Sequence, residues 1–317
     1  MASTKINNYT VAPQMGSWKH IKRELSKSFY CYLIFLPVLL YYIIFHYIPM
    51  YGIIISFKDY SPYKGIWGSA WVGLKHFTNF FNSYYCLDII RNTILLSLMT
   101  LAFGFPIPII MALMINEVKN KFFKRMVQTV SYLPHFISLV IIIGMLIDFT
   151  SGNGVVNNIL FAISGKRIDF LGDSGWFRPL YVISHIWKEF GWSSIIYIAA
   201  LSGIDVEQYE AAMVDGAGRW RRMWYITIPG IMPTIVITLI LACGSIMNIG
   251  FEKVFLMQNT INTDVSEVIS TFVYKSGILQ GEISYATAIG LFNNIINFCI
   301  LISINKISKH INETSLW

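Results

Sequence analysis

Charge is what this chain has least of. Asp, Glu, Lys and Arg make up 13% of its 317 residues, against 55% hydrophobic, where a soluble domain carries about a quarter. With a mean hydropathy of +0.56, an ordinary soluble fold is excluded and the chain reads as a membrane protein. Cysteine is also scarce. Of four, Cys31, Cys243 and Cys299 lie in apolar runs and Cys86 stands in a loop, which gives neither a disulfide framework nor metal-ligand spacing. A phosphate-binding loop is missing too: Ser164-Gly165-Lys166-Arg167 lacks the upstream glycine and the hydroxyl residue after lysine, so ATP is not bound by that route. No H-E-x-x-H, no G-x-S-x-G and no Cys and His cluster occurs. An enzymatic reading has no constellation to carry it.

What the chain has in abundance is apolar runs of membrane length. A helical span needs about 20 residues, and runs of that kind lie near 29–57, 89–115, 128–149, 179–202, 229–250 and 284–305. The first is too long for a signal sequence and no cleavage site follows, so it reads as a retained span, with Pro37 and Pro49 expected to bend it. Six spans place both chain ends on one side of the bilayer. The basic residues choose the side: Lys19, Lys22, Arg23 and Lys27; Lys119, Lys121, Lys124 and Arg125; Arg219, Arg221 and Arg222; Lys306 and Lys309. By the positive-inside rule all of these are cytoplasmic, which also accounts for the net charge of +7 without a nucleic-acid partner. The expected organisation is a cytoplasmic segment over 1–28, a transmembrane domain over 29–305 and a cytoplasmic tail over 306–317. Three outer segments remain. Residues 58–88, with Trp67 and Trp71, look folded; 150–178 opens on a turn at Ser151-Gly152-Asn153-Gly154; 251–283 reads as dipping back toward the membrane. Each is either a receiving surface for an external partner or a plain connection.

Between the fourth and fifth spans lies a long polar interruption, residues 203–228. Asp205, with Gln208 three residues on, reads as a helix N-cap with its reciprocal partner. Gly216 and Gly218 weaken continuation, so the helix should be about ten residues long. Tyr209, Ala212 and Met213 share one face, while Glu207, Glu210 and Asp215 carry charge. The spacing Glu210, Ala211, Ala212, Gly216, Ile226 and Ile228-Pro229 resembles the EAA loop of binding-protein-dependent ABC importer permeases, departing only in Ile228 where the family has Leu. Trp71-Val72-Gly73-Leu74 with Phe77, Arg91-Asn92-Thr93, Asn116-Glu117 and Tyr132-Leu133-Pro134 are similar to the sugar-transporting branch of that family. Phe57-Lys58-Asp59-Tyr60 and Gly191-Trp192 look closest to its oligosaccharide and polysaccharide-fragment subgroup.

The fourth span carries His185, Lys188 and Glu189, and ionisable groups at membrane depth face a bundle interior or a water-filled cavity. Their spacing puts all three on one side of a helix, with Trp192 continuing the stripe. Hydrogen-bonding groups beside an aromatic ring suit a sugar. Pairing between the adjacent Lys188 and Glu189 is awkward, because neighbours on a helix point about 100° apart. On the fifth span Ser245, Asn248 and Glu252 are spaced three and four apart, forming either a facing wall or a polar contact between helices. Asn293, Asn294 and Asn297 on the sixth read as packing.

The resemblance implies an all-α integral membrane protein: a six-helix transmembrane bundle with a cytoplasmic coupling helix, the type I ABC importer permease fold, in a bacterial cell membrane. It implies that Glu210, Ala211, Ala212, Asp215 and Gly216 meet an ATPase, with Glu210 making the polar contact and Gly216 the turn. A second related permease, two ATPase subunits and an extracytoplasmic substrate-binding protein are the implied partners. ATP and Mg belong to the ATPases, with no cofactor or metal in this chain, and an oligosaccharide, acidic or neutral, crosses by alternating access. Two other readings stay open at this point. An ion-driven secondary transporter would relay through Lys188, Glu189 and Glu252 and show internal repeats. A membrane-bound glycan-modifying enzyme would use His135 or His185 as base.

Overall fold

Prolines set the course of the long helices. In the computed structural model, which describes residues 28–312, the helical ladder widens to a π turn at Ile43–Tyr47, Thr100–Gly104 and Met223–Thr227. These three end just ahead of a proline, Pro49, Pro106 and Pro229, whereas a fourth wide turn, Lys275–Leu279, has none after it. A proline ring collides with the carbonyl four residues earlier and has no N–H to offer it. Moving the ladder out by one residue, as in Ile48 N–H to Ile43 O and Ile228 N–H to Met223 O, makes room for that carbonyl. The helix then continues.

The chain divides between Ile54 and Ile55 into two units. In the first, α1 (Phe29–Tyr42), with Pro37 inside it, runs through its wide turn to Ile48–Met50, and residues 29–51 are all exposed. The basic cluster from Lys19 to Lys27 lies outside the described residues.

The second unit opens on a hairpin of β1 (Lys58–Asp59) and β2 (Ala70–Trp71), antiparallel, with Lys58 opposite Trp71. Phe57 stacks on Trp71 at 5.8 Å, and Lys58 Nζ donates to Ile66 O at 2.8 Å. Segment 58–88 is therefore folded, as its aromatics imply. There follow α2 (Lys75–Phe81), α3 (Cys86–Met99), α4 (Pro106–Glu117), α5 (Lys121–Phe136), α6 (Leu139–Thr150), α7 (Val155–Ser164) and α8 (Phe177–Ser202). Next come α9 (Val206–Val214), α10 (Arg219–Arg222), α11 (Ile228–Gly244), α12 (Phe251–Met257), α13 (Thr263–Ser266), α14 (Ile269–Tyr274) and α15 (Ile283–Asn312).

Five stretches among the described residues are long and apolar enough to cross a membrane: 29–57, 86–117, 139–164, 219–244 and 283–310. The sixth expected span, α8, has 26 residues, about 39 Å at 1.5 Å each. Its length suffices, but Arg178, Lys188 and Glu189 lower its apolarity.

Three expectations need correction. The run 128–149 is not one helix, because Ile137 and Ser138 are extended (ψ 136° and 139°) between α5 and α6. The run 229–250 stops at Gly244: Met247 N–H goes to Asn297 Oδ1 (2.9 Å) rather than back up the helix, and residues 245–250 unwind. Cys86 opens α3 and is buried, instead of standing in a loop. Residues 251–283 do fold inward, since Val254 and Val268 join Leu96, Phe177, Tyr181 and Ile249 in one apolar cluster.

Candidate functional site

Two places hold the residues singled out by sequence. The first is α9. Asp205 caps it through its side chain, accepting from Glu207 N–H at 3.0 Å. At the other end Gly216 adopts φ +72°, with Ala217 N–H on Ala212 O (2.8 Å) and Gly216 N–H on Met213 O (3.1 Å). That pair of bonds closes a Schellman turn, which uses up terminal carbonyls and favours glycine at the left-handed position. Glu210, Ala211, Asp215 and Gly216 are exposed and Ala212 is half-buried. Val206, Met213 and Val214 are exposed as well, while Tyr209 and Ala212 on the face Met213 shares are half-buried. A nine-residue helix with no buried residue cannot be held by core packing alone.

Two contacts tie it to the helix that follows. Tyr209 OH lies 3.0 Å from Thr227 Oγ1, and Thr227 is buried in the wide turn below α11. Ile204 occupies the space where Gly230 has no side chain; a Cβ there would stand 2.7 Å from Ile204 Cδ1.

The second place is a cavity of about 1000 Å³ bounded by the α3–α4 junction, α8, the end of α11 and the start of α12. His185, Lys188, Glu189, Trp192, Ser245, Asn248 and Glu252 all line it. The structure thus brings together every pathway residue expected from sequence. For the last three the reason differs: they do not form one helical stripe, because Ser245 and Asn248 sit in the unwound stretch and Glu252 on α12. Asn248 also serves packing. Its Oδ1 accepts from Asn293 Nδ2 (2.9 Å) and Asn297 Nδ2 (3.0 Å).

The expectation that Lys188 and Glu189 avoid each other is overturned. Lys188 Nζ donates to Glu189 Oε1 at 2.9 Å, because a four-carbon stem spans the angle between adjacent positions. Lys188 also reaches His135 O (3.2 Å), a carbonyl in the last turn of α5, where a cation is favoured. The other carboxylate oxygen of Glu189 lies 2.9 Å from His135 Nδ1, and the His135 ring stacks flat on Trp192 at 4.5 Å and 4°. Four side chains therefore form one closed group. Part of the Trp192 face is taken, leaving less of the indole for a sugar ring. The close approach of α5 and α8 depends on Gly191, where a Cβ would stand 2.0 Å from Ser131 O.

Sequence reasoning missed Lys253 and Tyr181, which share the cavity wall. Lys253 is 6% exposed, donates to Tyr181 O at 2.7 Å and stands 4.2 Å above the Tyr181 ring. A lysine beside Glu252 was visible in the sequence, but its segment read as an outer connection. The inward return of α12 puts it on the wall.

A helical membrane bundle around a polar cavity, with an exposed short helix fastened to one of its long helices, defines a membrane transport subunit. The chain belongs to the family of binding-protein-dependent transport system inner membrane components, whose pattern matches residues 104–313. It is 46% identical to Protein LplB of Bacillus subtilis (strain 168), covering 96% of this chain and 97% of that one. It is 43% identical to the polygalacturonan/rhamnogalacturonan transport system permease protein YteP of the same organism, over 94% of each. Among solved structures, a chain of a bacterial ABC transporter for import of the acidic polysaccharide alginate is 40% identical, with a TM-score of 0.86 over 92% of this chain and 99% of that one. A chain of the bacterial alginate ABC transporter in complex with its alginate pentasaccharide-bound periplasmic protein gives 0.87 at 40% identity, over 94% and 100%. The fold is that of an ABC importer permease, multi-pass and helical apart from one short hairpin, and the family is one of transport subunits rather than enzymes.

Proposed function

We propose that this chain forms half of the pathway by which an ATP-driven importer takes up an oligosaccharide or polysaccharide fragment. The observation that carries the reading is the double fastening of α9 to the 219–244 helix, whose far end opens on the cavity. A partner that moves α9 therefore moves the cavity wall. In this reading Glu210, Ala211, Ala212, Asp215 and Gly216 meet an ATPase subunit, one of two that hold ATP and Mg. A second permease supplies the other half of the wall, and an extracytoplasmic binding protein delivers the sugar. His185, Lys188, Glu189, Trp192, Ser245, Asn248 and Glu252 line the route. Both chain ends and α9 face the cytoplasm, and α8 is the sixth span. Nucleotide shifts the bundle between inward and outward states by binding them differently.

The test is ATP hydrolysis by the whole complex in lipid, with the binding protein and a panel of oligosaccharides, for wild type and for Glu210→Ala and Gly216→Val. Stimulation by a saccharide that either substitution abolishes, with the complex still assembled, supports the reading. A chain that purifies without an ATPase and transports alone on an ion gradient overturns it.

A further inference from the structure

Three asparagine amides meet where the 219–244 helix gives way to the cavity wall. Asn248 lines the cavity and is exposed, while Asn293 and Asn297 on α15 are buried. The oxygen and nitrogen of an amide are alike in shape, so which of them faces the cavity must be decided by a neighbour that has only one role. That neighbour is Met247. Its backbone N–H can only donate, and Asn297 Oδ1 receives it at 2.9 Å. The NH₂ of Asn297 is therefore the group left for Asn248, whose Oδ1 accepts from it at 3.0 Å. With its oxygen held there, Asn248 presents its own NH₂ to the cavity, and no hydrogen bond among the described residues uses that group.

Asn293 favours the opposite setting. Its Nδ2 also donates to Asn248 Oδ1, at 2.9 Å, but its own Oδ1 is buried without a partner. Reversing Asn248 would let Asn293 turn over and satisfy that oxygen. It would also set the NH₂ groups of Asn248 and Asn297 against each other, two donors with nothing to accept, because Met247 N–H keeps Asn297 from turning in its turn. The unwinding after Gly244 is what frees that N–H, since a continuing helix would send it to Cys243 O.

We propose that Asn297 is a positioning residue for transport: it takes the Met247 N–H and so fixes Asn248 as a hydrogen-bond donor to an oxygen of the passing saccharide. This rests on the importer reading above and gives the polarity of one point on its route. Glu252, exposed on the same wall, supplies acceptor oxygens. A sugar hydroxyl, which both donates and accepts, finds both complements on that wall.

The experiment uses the assembled complex in proteoliposomes with its binding protein, and as probes an oligogalacturonate, an oligomannuronate and a neutral oligogalactoside. With whichever probe stimulates ATP hydrolysis in wild type, uptake is read for Asn248→Ala, Asn297→Met, Asn293→Met, and Asn248→Ala combined with Asn297→Met. Asn248→Ala should lower uptake several-fold, roughly the effect of one neutral hydrogen bond, and Asn297→Met should do the same. The combination should fall no further, because Asn297 acts only through Asn248. Asn293→Met should stay close to wild type, since the bond from Met247 to Asn297 still sets the direction. A residue that merely packs α15 would instead multiply its loss with that of Asn248→Ala. If Asn297→Met does not assemble, Asn248→Asp decides: it accepts from both α15 amides but shows the cavity an oxygen in place of NH₂, so its uptake should be as low as that of Asn248→Ala. Multiplied losses in the combination, or wild-type uptake by either Asn297→Met or Asn248→Asp, overturns the positioning role while the importer stands. Hydrolysis that answers to none of the probes overturns both.

Discussion

At the scale of single residues, distance of approach matters more than residue type. Gly191 is where α8 meets α5, and the Ser131 carbonyl stands 2.0 Å from where a Cβ would go. Backbone cannot yield as the tip of a side chain can, so Gly191→Val should force the helices apart and cost about 1–3 kcal/mol or more. Thermal unfolding in detergent should show it as a lowered Tm, and the His135–Trp192 stack should be loosened with it. The Gly191-Trp192 pair was conspicuous in the sequence only as a resemblance; its physical reason appears when Ser131 is found opposite. The Lys188–Glu189 pair teaches the reverse lesson. Backbone geometry argued against it, but long side chains and the shared partner His135 made it.

At the scale of elements, α9 was the most legible part of the chain. Its cap, its length and its terminal glycine depend on neighbours in sequence, and Asp205, Val206–Val214 and Gly216 stand where local rules put them. Its fastening was not legible, because Tyr209 and Thr227 are joined only by the fold of the loop. The strut makes a prediction of its own. Tyr209→Phe removes the hydroxyl and keeps the ring, so the amount of saccharide moved per ATP hydrolysed should fall several-fold, by roughly the effect of one neutral hydrogen bond, while Thr227→Ser should preserve it. An unchanged transport-to-hydrolysis ratio in Tyr209→Phe would show that the Ile204–Gly230 contact transmits the motion alone.

At the scale of the whole molecule, orientation and the cavity are the consequential features. If the basic loops are cytoplasmic, a membrane-impermeant maleimide should label Val214→Cys in inside-out vesicles only, and Lys64→Cys in right-side-out vesicles only, in a background freed of the exposed Cys31 and Cys299. Labelling with the opposite sidedness would turn the bundle over and remove α9 from reach of any ATPase. Apolar run length and charge placement, both local properties, sufficed to establish a helical membrane protein, its polar loop and the capped helix within it, and the stripe from His185 to Trp192. The unwinding after Gly244 and the inward return that buries Lys253 followed from contacts between residues far apart in the chain. Asn297 takes the Met247 N–H that a continuing helix would have used. Such competition for one hydrogen bond is settled only when the two helices lie side by side, and hydrophobic periodicity carries no trace of it.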